Sequence, residues 1–230
     1  MNTLNVIRST AVHRDVPIAI VCALLVGCAT VPQSIPLSVV APPPLAPKID
    51  KSVLLVLESD LKNATRTSKQ FLGAIVYPLG EVLPAIIERS LGEQFKEVVT
   101  AADDSRRSGF DWVVTPRLVS FEAVVPMMLF APTETTVRID YVVYDVARQQ
   151  ARTLSGLGTL GEGTRSDALL LQRLDDRMPG IRTSSQVDTQ AGSWWAPAPE
   201  YTSEAGWDAM VAILHAIQDL NAQLVGIVGQ

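Results

Sequence analysis

The chain has 230 residues, with 19 Lys and Arg against 24 Asp and Glu and a formal net charge of −5. That mildly acidic balance excludes a nucleic-acid binder, which needs a basic face for phosphates. Of its two cysteines and two histidines only His215 lies beyond Cys28, too few ligands for a zinc site that wants several His or Cys, and no cofactor is expected.

The chain opens with the three-part layout of an export signal. Met1 to Asp15 is polar and carries Arg8 and Arg14, and Val16 to Val26 is an uncharged apolar run. Such a run is shorter than the roughly 20 residues a permanent transmembrane helix needs. Leu25-Val26-Gly27-Cys28 then follows, with an apolar residue at −3, a small one at −1 and a cysteine. This resembles the lipobox of bacterial lipoproteins, which implies cleavage before Cys28 and a diacylglycerol on its thiol. Each buried CH₂ contributes only about 0.8 kcal/mol, so stable anchoring takes two or three acyl chains. The alternatives are an ordinary secreted protein, or an N-terminal helix in which Cys28 is a small buried hydrophobe. Ala29 at +2 resembles the enterobacterial signal for the outer membrane, with the domain facing the periplasm.

Removing residues 1–27 takes away Arg8, Arg14 and Asp15, leaving 17 basic against 23 acidic residues and a net charge of about −6. Cys22 leaves with the signal, so the mature chain keeps one cysteine, already acylated, and no disulfide. After the signal no further apolar run reads as long enough for a transmembrane helix, which makes lipid the sole anchor. Three regions follow: a signal at 1–27, a lipidated cysteine with a proline-rich tether at 28–49, and a periplasmic domain at 50–230.

Thr30 to Lys48 contains Pro42-Pro43-Pro44 and Pro47, a composition for extended polyproline chain. It reads as a free tether, with a segment laid along the domain as the alternative. Ser52 to Glu58 is the first strand, and the polar, basic Lys62 to Lys69 is a loop. Leu79 to Val99 is a helix with Val82, Ile86, Leu91 and Phe95 along one face and Pro84 in its first turn. Asp111 to Val125 is a long strand with a kink at Pro116. Thr135 to Val146 alternates as a second strand, Ala147 to Gln150 turns, and Ala151 to Gly161 returns, its glycines marking bulges or close approaches. Thr164 to Pro199 has no strong period. Ser203 to Val228 is a closing helix on Trp207, Met210, Val211, Leu214, Ile217, Leu220, Leu224 and Ile227. The order β-α-β-β-β-α predicts an α+β two-layer sandwich, mainly antiparallel, with two principal helices on one face.

Pro78-Leu79-Gly80, Asp111-Trp112-Val113-Val114, the Tyr141–Tyr144 strand, Gly156 to Gly161 and the Trp207–Leu224 helix stand in an order that resembles a group of periplasmic domains. The group comprises the curli-secretion lipoprotein, the Pel-secretion lipoprotein and the N-terminal domain of the Tol–Pal propeller protein. The resemblance spans residues 50 to 228 and is topological. It implies a scaffold, assembly or secretion accessory within an envelope protein complex, and leaves a homo-oligomer open.

Catalytic chemistry finds little support. His215 is the one histidine after the signal and lies beside the apolar stripe of the last helix, with no Gly-x-Ser-x-Gly elbow in the chain. Asp103-Asp104 and Asp175-Asp176 read as solvated loop charges. Gly156-x-Gly158-x-x-Gly161 has the letters of a dinucleotide fingerprint but follows a hairpin strand and opens no helix. The candidate contact residues are apolar ones in loops: Met127, Met128 and Phe130, and Trp194 with Trp195. Such residue types favour partner surfaces and membrane interfaces, or fold back as lids on the sheet. An accessory that binds a lipid or glycan in a groove between sheet and helices is the rival functional reading.

Overall fold

Val53 to Leu57 is apolar at every position, as befits a strand covered on both faces. All of this run but Leu57 forms the second half of β2 (Ile49–Val56), which follows a two-residue strand β1 (Gln33–Ser34). The computed structural model describes residues 32–35, 37–70, 73–124, 134–160 and 199–228. After β2 come a short helix α1 (Ser59–Lys62), strands β3 (Arg66–Gln70) and β4 (Gly73–Tyr77), helix α2 (Leu79–Gln94) and strand β5 (Phe95–Ala101). The long strands β6 (Trp112–Val124), β7 (Glu134–Asp145) and β8 (Gln150–Leu160) follow, and helix α3 (Pro199–Val228) closes the order.

The main sheet has the order β5-β2-β6-β7-β8. β2 runs parallel to β5 and, over Val53 to Leu55, to β6. The antiparallel β6–β7 and β7–β8 ladders run almost the whole length of their strands, so antiparallel pairing dominates. Helices α2 and α3 share one face, in a single core with Val53, Leu55, Val114, Val137, Ile139 and Tyr141. The α+β sandwich with two principal helices on one face is therefore the observed class. A small cluster of Leu54, Val56 and Val113 sits on the opposite face, covered by Phe110 and Tyr144.

The helix expected over Leu79–Val99 stops at Gln94, and the chain turns directly into β5. The apolar stripe continues through Phe95, which is fully buried, but Val98-Val99-Thr100 is a β-branched run that pairs beside β2 instead. The expected Lys62–Lys69 loop holds the end of α1 and most of β3, which pairs antiparallel with β4. β1 adds to the far side of β4 and completes a three-stranded sheet, β1-β4-β3. Tyr77 packs on Phe121 with ring centroids 4.7 Å apart, and the Ser68 hydroxyl donates to the Ala123 carbonyl at 2.8 Å. These contacts seat the small sheet on the far half of β6. The kink expected at Pro116 is absent, since Pro116 pairs in register with Tyr141; the irregularity lies between Leu118 and Ser120.

Helix α3 corrects another expectation. By length and composition Ala205–Val228 could cross a membrane, yet every residue from Ala209 to Leu214 is buried. It packs across β7 and β8 as a core helix.

Candidate functional site

Residues 32–48 decide how the domain would meet an anchor on Cys28. Gln33 and Ser34 pair with Ile75 and Val76, and the Ile35 N–H donates to the Val76 carbonyl at 3.0 Å. Ile35, Val40 and Ala41 are buried, with Leu37 and Val39 packed against the core. Farther along, the Leu45 N–H donates to Oε1 of Gln94 at 3.2 Å, and Arg89 reaches the Val39 carbonyl. The expected free tether is thus corrected for these residues: they form a strap over α2. Proline favours an extended backbone here, and burial of Ile35 and Val40 supplies the free energy that keeps it on the surface.

Asp111, just ahead of β6, makes a cluster of polar contacts with β2. One oxygen of the Asp111 carboxylate accepts the Ser52 N–H at 2.8 Å and the Ser52 hydroxyl at 2.9 Å. Its other oxygen takes the Lys51 ammonium at 3.0 Å. The Asp111 N–H returns a bond to the Ser52 carbonyl. The Ser52 N–H foremost, then Lys51, holds the Asp111 carboxyl below the usual carboxylate range. This is a latch between β2 and β6, and it explains the aspartate of the Asp-Trp-Val-Val stretch.

Gly156 and Gly158 explain the glycine-rich return strand. A Cβ on Gly158 would collide with the Ala212 carbonyl, and one on Gly156 with the Ala216 carbonyl and, at 2.6 Å, with Leu220. Glycine on β8 and alanine four residues apart on α3 let helix backbone lie against sheet backbone. Close packing, not a phosphate loop, accounts for these two residues. Gln223 of α3 also donates to the Ser155 carbonyl at 2.8 Å, occupying a backbone acceptor on the last strand of the sheet.

His215 is half-buried on α3, and among the described residues no three His, Cys, Asp or Glu side chains gather as for a metal ion. Asp103 and Asp104 are exposed loop charges: Asp103 accepts the Ser105 N–H at 3.0 Å, and Asp104 faces Arg107 at 3.4 Å. A shallow depression of about 10 Å³ lined by Trp112, Val143, Arg148, Arg152 and Ile227 has room for little more than one water molecule. Leu25, Val26, Gly27 and Cys28, the loop residues Met127, Met128 and Phe130, Asp175-Asp176, and the Trp194-Trp195 pair lie outside the described residues. The latch and the small sheet were missed by sequence reasoning, and the strap stood there as the alternative to a free tether; the buried aliphatics between the prolines were the available signal for it.

No family model matches the chain, and no curated protein matches it. Solved structures similar to it include a Xanthomonas campestris protein of the DUF330 family, at 9% identity and a TM-score of 0.45, covering 86% of this chain and 99% of that one. The PelC dodecamer of Paraburkholderia phytofirmans is similar at 15% identity and a TM-score of 0.33, covering 54% and 81%. Lipoprotein GNA1162 of Neisseria meningitidis is similar at 14% identity and a TM-score of 0.30, covering 54% and 92%.

Proposed function

We propose that the chain is an exported lipoprotein, cut before Cys28 and held by lipid on that residue at the periplasmic face of the outer membrane. Its α+β domain works there as a non-enzymatic scaffold or assembly and secretion accessory for an envelope complex. The observation that carries this reading is Leu25-Val26-Gly27-Cys28 standing after an apolar run and four residues ahead of β1.

The interface between α3 and the β7–β8 half of the sheet favours a scaffold over a carrier with a groove there. Gly156 and Gly158 bring the helix backbone onto the strand, and Val137, Ile139, Tyr141, Leu220 and Leu224 are fully buried. Envelope fractionation with crosslinking tests the reading. The wild-type chain should sediment with the outer membrane in a crosslinked complex, and Cys28→Ala should leave that fraction. Recovery of the wild-type chain as a free periplasmic monomer would count against it.

A further inference from the structure

We infer that the small sheet β1-β4-β3 is the face the domain turns to the membrane, its basic residues lying against anionic lipid headgroups. This rests on the lipid anchor at Cys28.

The first argument is chain length. Four residues, 29–32, separate Cys28 from Gln33, the first residue of β1. Five Cα steps reach at most about 18 Å when fully extended. Had residues 29–48 been a free polyproline tether, the reach would have been about 60 Å at 3.1 Å per residue. The strap removes most of that freedom. β1 pairs with β4 and β4 with β3, and neighbouring strands lie about 4.8 Å apart. The whole small sheet is therefore confined near the headgroups, whichever way the rest of the domain turns.

The second argument is charge. Residues 61–80 contain Lys62, Arg66 and Lys69 and no Asp or Glu, in a chain that is acidic as a whole. Lys62 is exposed at the end of α1 and Arg66 is half-buried at the start of β3. Among the described residues neither has a carboxylate partner: Arg66 donates only to the Thr65 carbonyl, at 3.0 Å. Uncompensated cations next to the anchored end are where an anionic surface attracts most, since its field fades within about 10 Å. The opposite end of the sheet, at the β7–β8 turn, carries its arginine beside a carboxylate, Arg148 with Asp145.

The experiment uses the membrane-extracted, mature chain in vesicles of three parts phosphatidylethanolamine to one part phosphatidylglycerol. A single fluorophore is placed through Thr67→Cys on β3, or through Ala147→Cys in the β7–β8 turn, both exposed positions. The turn lies about 35 Å from the β3 end, measured along β6. With a quencher on the lipid headgroups, the Thr67 probe should be quenched several-fold more than the Ala147 probe. Lys62→Glu combined with Arg66→Glu should reduce that ratio, as should exchanging phosphatidylglycerol for phosphatidylcholine. Equal quenching of the two probes, with acyl mass present on Cys28, overturns the membrane-facing assignment and leaves the anchor standing. Absence of acyl mass in the same sample overturns both.

Discussion

Asp111 and Ser52 clasp one another across 59 residues: the carboxylate takes the serine's N–H and hydroxyl while the serine carbonyl takes the aspartate's N–H. The pair joins the middle of β2 to the residue ahead of β6, two parallel strands whose direct pairing covers only Val53 to Leu55. Because the folded-state pKa of Asp111 lies below its ordinary value of 3.8, the latch contributes fully above about pH 4. Its contribution is lost as the pH falls through the lower, folded value. Asp111→Asn should cost about 1–2 kcal/mol at pH 7, a figure reduced from that of a buried charged bond because the carboxylate is partly solvated. The gap between the urea midpoints of the two proteins should narrow as the pH falls below 3.8. A gap that is unchanged between pH 7 and pH 3 would refute the linkage.

Gly158→Ala should be among the most damaging single-atom additions in the chain. The new methyl group meets the Ala212 carbonyl, which is helix backbone and cannot rotate away. Overpacking of this kind costs about 1–3 kcal/mol or more. Thermal melting should show the loss. Gly92→Ala, on the helix α2 surface with open space around its Cα, should be neutral or stabilising.

Asn221 donates to the Ser90 hydroxyl at 2.7 Å, a fully buried bond between α3 and α2. Ser90→Ala alone strands the amide donor and should cost about 1–3 kcal/mol. Asn221→Leu added to it removes the stranded group, so the double variant should lose less than the sum of the two single variants. Additivity of the two losses in denaturant titrations would show that the bond carries no coupling.

Much of this architecture is legible from residues alone, and the misses share a cause. The closing helix was legible because Trp207 through Ile227 keep helical steps throughout. β7 was legible because Val137, Ile139 and Tyr141 alternate with Arg138 and Asp140. The junction at Gln94 was not, because Phe95 fits the helical stripe and the strand alike, and only pairing beside β2 decides between them. β3 reads Arg-Thr-Ser-Lys-Gln, with no aliphatic residue to mark a buried face. Its strand character comes from Gly73–Tyr77 alongside it. Proline content predicts an extended strap but says nothing of what it lies on, a matter of long-range contact between Leu45 and Gln94. At the site, the proposed lipobox is read from the linear sequence alone, whereas the proposed membrane-facing sheet rests on β1 being paired with β4.

Disrupting the strap should loosen residues 37–48 without unfolding the sheet. Gln94→Ala removes the acceptor for the Leu45 N–H, and Ile35→Ala deletes a side chain that is 1% exposed. Ile35→Ala should cost about 2–4 kcal/mol, the range for a buried aliphatic cut to alanine. Amide exchange over residues 37–48 should quicken in both variants while that of β6 and β7 is retained in Gln94→Ala. Unchanged exchange in the strap would show that these contacts do not hold it.

The proposed membrane placement turns on Cys28, and mass spectrometry of the membrane-extracted protein tests it most directly. The expected result is a mature N-terminus at Cys28 carrying acyl mass, with Cys28→Ala yielding neither the cut nor the lipid. An intact N-terminus, or one cut elsewhere without acyl mass, would contradict the lipoprotein reading.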